Sequence, residues 1–159
     1  MVGSLDRIPA GRAGRILALD VGDRRVGVAV SDETQTLARS LTVLHRRSKA
    51  HDFEALAGLV REQAVTALVV GLPLSADGGE GQQAGRIRRY VTALGQALAA
   101  QGVDVPLVFH DESLSTVTAT EAMIASGRKR RYRRRRIDAA AAAAILQDYL
   151  DTRKENTMT

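Results

Sequence analysis

Four carboxylates stand where apolar segments begin or end. Asp20 closes "ILALD", Asp111 and Glu112 close "VPLVFHDE", and Asp138 opens "IDAAAAAAILQDYLD". Brought together, such side chains repel one another unless a cation sits between them. The chain has no cysteine and only three histidines, so the available donors are oxygens, and an oxygen set favours a hard ion, Mg2+ or Mn2+. Two such ions can activate a water and stabilise the leaving oxygen of a phosphodiester. The chemistry implied is phosphodiester hydrolysis.

The residues before Asp138 point to the same substrate. Arg128, Lys129, Arg130, Arg131, Arg133, Arg134, Arg135 and Arg136 put eight bases into nine positions, interrupted by Tyr132. The whole chain has 23 Lys+Arg against 18 Asp+Glu, a net charge of +5; without these eight bases the remainder is −3. Charge so localised suits a directed polyanion contact better than general solubility. Each phosphate neutralised releases counterions, with a salt slope of about −0.9 on duplex DNA and about −0.7 on single strands. Tyr132 suits either stacking on an unpaired base or anchoring of the segment. The bland alternative is a solvated basic loop.

To meet, these groups need a sheet with several strand ends on one edge. "ILALDVG" reads as a buried strand ending on Asp20, and "VGVAVSD" pairs with it across the turn "GDRR", in which Asp23 is a turn former. "LARSLTVLHR" supplies a third strand, completing an antiparallel meander, with Asp32 capping the second. Phe53, Leu56, Leu59, Val60 and Ala64 recur at helical spacing. "ALVVGLPLS" is a fourth strand broken at Gly71 and Pro73, before the glycine-rich loop "ADGGEGQQAG". Ile87, Val91, Leu94 and Leu98 mark a second helix, whose Arg86, Arg88 and Arg89 are either solvated or extend the basic track. "VPLVFHDES" is the fifth strand, where His110 reads as a packing or hydrogen-bonding residue rather than a general acid.

Ser113 or Ser115 suits the cap of a short helix through Ser126, with Gly127 as its stop. The arginine run then reads as a loop or frayed helix start, and the alanines begin the last helix, which ends near Asp151. Right-handed crossovers set the fourth and fifth strands parallel to the first. The expectation is an α/β fold with a five-stranded mixed sheet, three antiparallel strands then two parallel, flanked by helices. Its parallel strands end on one edge, where Asp20, Asp111, Glu112 and Asp138 meet.

At 159 residues the chain has room for one domain with a real core. We expect a flexible N-terminal extension at 1–14, a domain at 15–151 and a C-terminal tail at 152–159. The lack of cysteine excludes disulfides, thiolate metal sites and a cysteine nucleophile. The first fourteen residues have no apolar signal-peptide core, and no apolar run reaches the ~18 residues of a membrane span. The expected location is the cytoplasm.

"LALDVGDRRVGVAVSD", "VVGLPLSADG", "HDESLSTVTA" and "IDAAAAAAILQDYL" together resemble the YqgF/RuvX family, ribonuclease H-like proteins described as pre-16S rRNA nucleases or Holliday junction resolvases. The resemblance spans roughly residues 15 to 151. It implies an RNase H-like fold, a divalent-metal nuclease site and a role in maturing the 5′ end of 16S rRNA. Asp20 matches the family's first-strand aspartate, Asp111 and Glu112 its fifth-strand pair, and Asp138 the aspartate opening its last helix. By this match Asp20, Glu112 and Asp138 hold the metal, with Asp111 a further candidate. Two departures bear on binding: Ser113 stands where the family usually has arginine, and a solid arginine run replaces a segment that commonly holds a lysine or two and a glycine.

Three rivals share parts of this evidence. A resolvase acting on branched DNA would keep the chemistry and require a dimer, whereas an RNA nuclease could be a monomer or a homodimer. The hairpin at residues 20–30 also looks like the phosphate-gripping hairpin of sugar-kinase and actin-like ATPases, which need two such domains. A non-catalytic RNA-binding assembly factor with an inherited fold is the last.

Overall fold

The computed structural model describes residues 14–73, 81–111 and 130–158, with backbone alone at 130–138 and 154–158. Three strands come first, β1 (Arg15–Val21), β2 (Arg25–Ser31) and β3 (Ala38–His45), followed by α1 (Lys49–Glu62) and β4 (Val65–Leu72). Helix α2 (Gln82–Ala100), β5 (Leu107–Asp111) and α3 (Arg130–Met158) complete the described elements. The sheet order is β3-β2-β1-β4-β5. β1 pairs antiparallel with β2, and β2 with β3, while β1, β4 and β5 run parallel. This is the mixed sheet that the sequence predicts.

Strand alternation divides the core into two unlike layers. Leu17 and Leu19 of β1, Val28 and Val30 of β2, and Leu68 and Val70 of β4 pack with Phe53 and Leu56 of α1 and Val91 and Leu94 of α2. On the other face Ile16, Ala18, Ala29, Ala67 and Val69 pack against Ala142, Ile145, Leu146 and Leu150 of α3. Alanine on both sides of that contact lets helix and sheet backbones approach closely. The run of alanines is therefore a packing device as well as a helix former.

The described structure fixes α3 to the sheet through Gln147. Its Oε1 accepts from the Ala38 N–H at 2.9 Å and its Nε2 donates to the Thr36 carbonyl at 3.0 Å. Of the two readings of the arginine run, loop or helix start, the helical one holds, since the helix takes in Arg130–Arg136; it also continues to Met158, through residues expected as a tail. Arginine is a good helix former, and no glycine or proline interrupts 130–158. Beyond Asp151, Arg153 Nη1 donates to Gln35 Oε1 at 3.0 Å, giving the extra turns a partner. The short helix expected between Ser113 and Ser126 lies outside the described residues.

Candidate active site

Asp20 is the penultimate residue of β1, and its parity with Ile16 and Ala18 puts it on the α3 face of the sheet. There it is half-buried. Its register partner on β2 is Gly27, and on β4 the register that pairs Leu19 with Val70 brings Gly71 to its level one step later. No side chain rises beside Asp20 from either neighbouring strand.

The turn after it is built tightly. Gly22 N–H donates to the Arg25 carbonyl at 2.8 Å, and a Cβ at position 22 would stand 2.9 Å from that oxygen. Arg46 Nη1 donates to the Gly22 carbonyl at 2.8 Å, fixing the turn from the opposite face. Asp23 is exposed at the tip, as a turn residue should be.

Asp111 ends β5 on the same edge but has the opposite parity. β5 pairs residue for residue with β4: Phe109 with Val70, His110 with Gly71, and Asp111 with Leu72. Phe109, Val70 and Leu72 belong to the α1/α2 layer, so Asp111 sits on that side and Asp20 on the other. His110 faces α3, where its Nε2 lies 2.6 Å from Asp148 Oδ2 and its ring meets Tyr149 edge-on at 5.7 Å. It serves as the packing and hydrogen-bonding residue expected. Sequence placed Asp111 with Asp20 because both close strands; the strand's period of two separates them.

Glu112, Arg128 and Lys129 lie outside the described residues. Asp138 and Arg130–Arg136 with Tyr132 are described as helical backbone only. Among the described residues, no three His, Cys, Asp or Glu side chains group as metal ligands. Asp32 has a structural role. Its carboxylate accepts from Thr34 Oγ1 at 2.6 Å and from the N–H groups of Thr36 and Leu37 at 2.8 and 3.1 Å. Those bonds, the Thr34 hydroxyl foremost, hold its pKa down to about 2.

A feature that the sequence reading missed lies around the corner from Asp20. Arg46, Lys49, Arg86 and Arg89 line one cleft beside the β1–β2 turn. They come from "HRRSK" at 45–49 and "RIRR" at 86–89, clusters far apart in sequence. The only signal was the arginines of the second helix.

Comparisons with known proteins agree with this architecture. A "Putative pre-16S rRNA nuclease" from Roseiflexus sp. (strain RS-1) is 44% identical over 141 residues, covering 89% of this chain and 96% of the relative. A protein of the same name from Moorella thermoacetica is 44% identical over 142 residues, covering 89% and 98%. Thermus thermophilus RuvC, solved in complex with a Holliday junction substrate, superposes with a TM-score of 0.57 at 16% identity, covering 89% of this chain and 96% of RuvC. The fowlpox virus Holliday junction resolvase, solved with junction DNA, gives a TM-score of 0.52 at 9% identity, covering 87% and 97%. At such identities these two likenesses establish the RNase H-like fold. The RuvX family pattern, described as Holliday junction resolvase, matches residues 14–152, and the chain belongs to that family.

Proposed function

We propose that this protein is a divalent-metal-dependent nuclease that hydrolyses phosphodiester bonds in the 5′-end maturation of pre-16S rRNA, a step of ribosome biogenesis. The observation that carries the reading is Asp20, a half-buried carboxylate between two glycine positions on the α3 face, in a chain whose relatives bear a pre-16S rRNA nuclease name. Asp20, Glu112 and Asp138 would hold one or two ions, Mg2+ or Mn2+, since carboxylate oxygens suit hard cations. When bound, such ions lower the pKa of a water and stabilise the leaving oxygen.

Periodicity supports this set. Asp20 and His110 both face α3, the side on which the set would assemble. Asp111 falls to the other side, so we leave it out of the ligand set. Counting back from Ala142 and Ile145 on α3 by four and seven positions reaches Asp138, in the sheet-facing stripe.

The arginine run has its own electrostatic logic. Six arginines open α3 with no acid in the first turn, against the preference of a helix N-terminus for negative charge and with mutual repulsion between turns. A phosphate backbone alongside relieves both penalties. At 100° per residue the run surrounds the helix, and positions 131, 134 and 135 share the stripe of Asp138. Part of the run therefore grips the strand being cut, and the rest meets flanking nucleic acid.

Resolution of branched DNA is the second reading, favoured by the family description and by the likeness to RuvC. It needs two sites facing one junction, hence a dimer. Purified wild type and Asp20→Asn, incubated with a 5′-leader RNA and a four-way DNA junction in EDTA, Mg2+ or Mn2+, separate these readings. We expect metal-dependent cleavage leaving a 5′-phosphate, faster on the RNA and lost in Asp20→Asn. Preferential junction cleavage would select the resolvase, and binding without cleavage the assembly factor.

A further inference from the structure

The nuclease reading leaves one strongly charged cavity unused. On the α1/α2 side of the sheet, a cleft of about 340 Å³ opens between the β1–β2 turn and the start of α2. Its walls carry Arg46 before α1, Lys49 as the first residue of α1, and Arg86 and Arg89 on α2. Asp23, exposed at the turn tip, is the acid among its lining residues.

These cations differ in how far they are already engaged. Arg46 is pinned: its guanidinium lies 4.5 Å from the Tyr90 ring centre, donates to the Gly22 carbonyl, and approaches the buried Asp52 carboxylate at 3.8 Å. Asp52 is itself held by the Arg47 N–H at 3.1 Å. Lys49, Arg86 and Arg89 are exposed and have no carboxylate partner among the described residues. One rigid cation therefore backs three that are available to an anion.

One further feature favours an anion there. Helix α2 starts at Gln82 after the N-cap Gly81, which offers no side-chain cap; its first turn has no acid, and Gln83 of that turn lines the cleft. Unsatisfied N–H groups at a helix start bind phosphate well. Tyr90 lines the cleft with its ring, stacked under Arg46, while its hydroxyl is buried beside the Asp52 carboxylate. Burial, and then the charge of Asp52, push the Tyr90 pKa up to about 12.

From this geometry we infer that the cleft binds a backbone phosphate of the nucleic acid, on the strand continuing past the Asp20 site around the end of β1. Val21 and Gly22 of the cleft wall follow Asp20 directly in the chain, so one strand passing the sheet edge can meet both faces. The cleft would then set which phosphate lies at Asp20, acting as a register stop for the cut. Its identification with a nucleic-acid phosphate rests on the nuclease reading; its affinity for phosphate does not.

The test uses the full chain in the Asp20→Asn background, so that binding is measured without cleavage. Arg86→Gln with Arg89→Gln, both exposed helix positions where glutamine is well tolerated, is compared with Arg39→Gln plus Arg61→Gln, which remove the same charge outside the cleft. Salt dependence of binding to single-stranded RNA should fall by about 1.4 in slope for the cleft pair, about 0.7 per lost contact, and by much less for the control. Amide shifts of Gln83–Arg86 should move with the oligonucleotide and only weakly with inorganic phosphate. Equal slopes in the two variants would overturn the assignment while leaving nuclease activity, measured separately in wild type, untouched. Inorganic phosphate binding as tightly as RNA would also overturn it, in favour of a free-phosphate site. A slope loss specific to the cleft pair without any wild-type cleavage would keep the cleft and remove the nuclease.

Discussion

The two faces of the sheet are built on different principles. Toward α1 and α2 the strands present leucines and valines against large side chains. Toward α3 they present chiefly alanine and valine, with glycine at the level of Asp20, against an alanine-rich helix. The first face obtains its stability from buried volume, the second from close approach. A helix laid close to the strands can bring a carboxylate from its own first turns near one on β1, which a face filled with leucine would hold away. With the proposed ligand set, the stability of the domain and the room for its chemistry would fall on opposite sides of the same strands.

Substitutions that exchange the two styles should hurt each face in its own way. Leu19→Ala on the α1/α2 face removes a fully buried side chain and should cost about 2–5 kcal/mol in urea unfolding. Ala18→Leu, one residue away on the α3 face and equally buried, should cost about 1–3 kcal/mol by wedging the helix off the sheet. A neutral or stabilising Ala18→Leu would show that the alanines are not there for closeness.

A smaller effect separates gripping from folding. Arg134→Gln with Arg135→Gln should lower the salt slope of single-stranded RNA binding by up to about 1.4 while leaving the unfolding midpoint unchanged or slightly raised, since like charges at the helix start are removed. An unaltered slope would mean that the run does not touch the backbone.

The smallest effect concerns Asp32, on neither face. Its folded pKa lies below the ordinary 3.8, at about 2, so the turn gains stability above the ordinary value and loses it as pH falls through about 2. The Thr36 and Leu37 amide signals should stay constant from neutral pH to near 4 and move only below it. A transition centred at or above the ordinary value would mean that the hydrogen bonds to this carboxylate do not hold in solution.

Much of this architecture is legible in the chain itself. Apolar runs bounded by turn residues locate β1, β2 and β4, which are buried on both faces, and helical spacing locates α1 and α2, each with one face buried in the larger core layer. The extent of α3 is not legible: a run of like charges carries no apolar period, and no stop residue follows Asp151. The adjacent acids Asp111 and Glu112 announce a site at the end of β5 without saying which faces it, since that depends on the register with β4. The cationic cleft escapes notice because neither of its two basic clusters has a pattern until α1 and α2 are packed side by side.

The most direct measurement is cleavage of the 5′-leader RNA by Asp20→Asn and Asp111→Asn, assayed together in Mg2+ and Mn2+ with binding measured in parallel. Two aspartates at the same sheet edge, on opposite faces, then report which face carries the chemistry. The account predicts that Asp20→Asn binds RNA but falls to background cleavage, while Asp111→Asn cleaves within a few-fold of wild type. Equal loss in both, or full activity in Asp20→Asn, would contradict a catalytic centre on the α3 face.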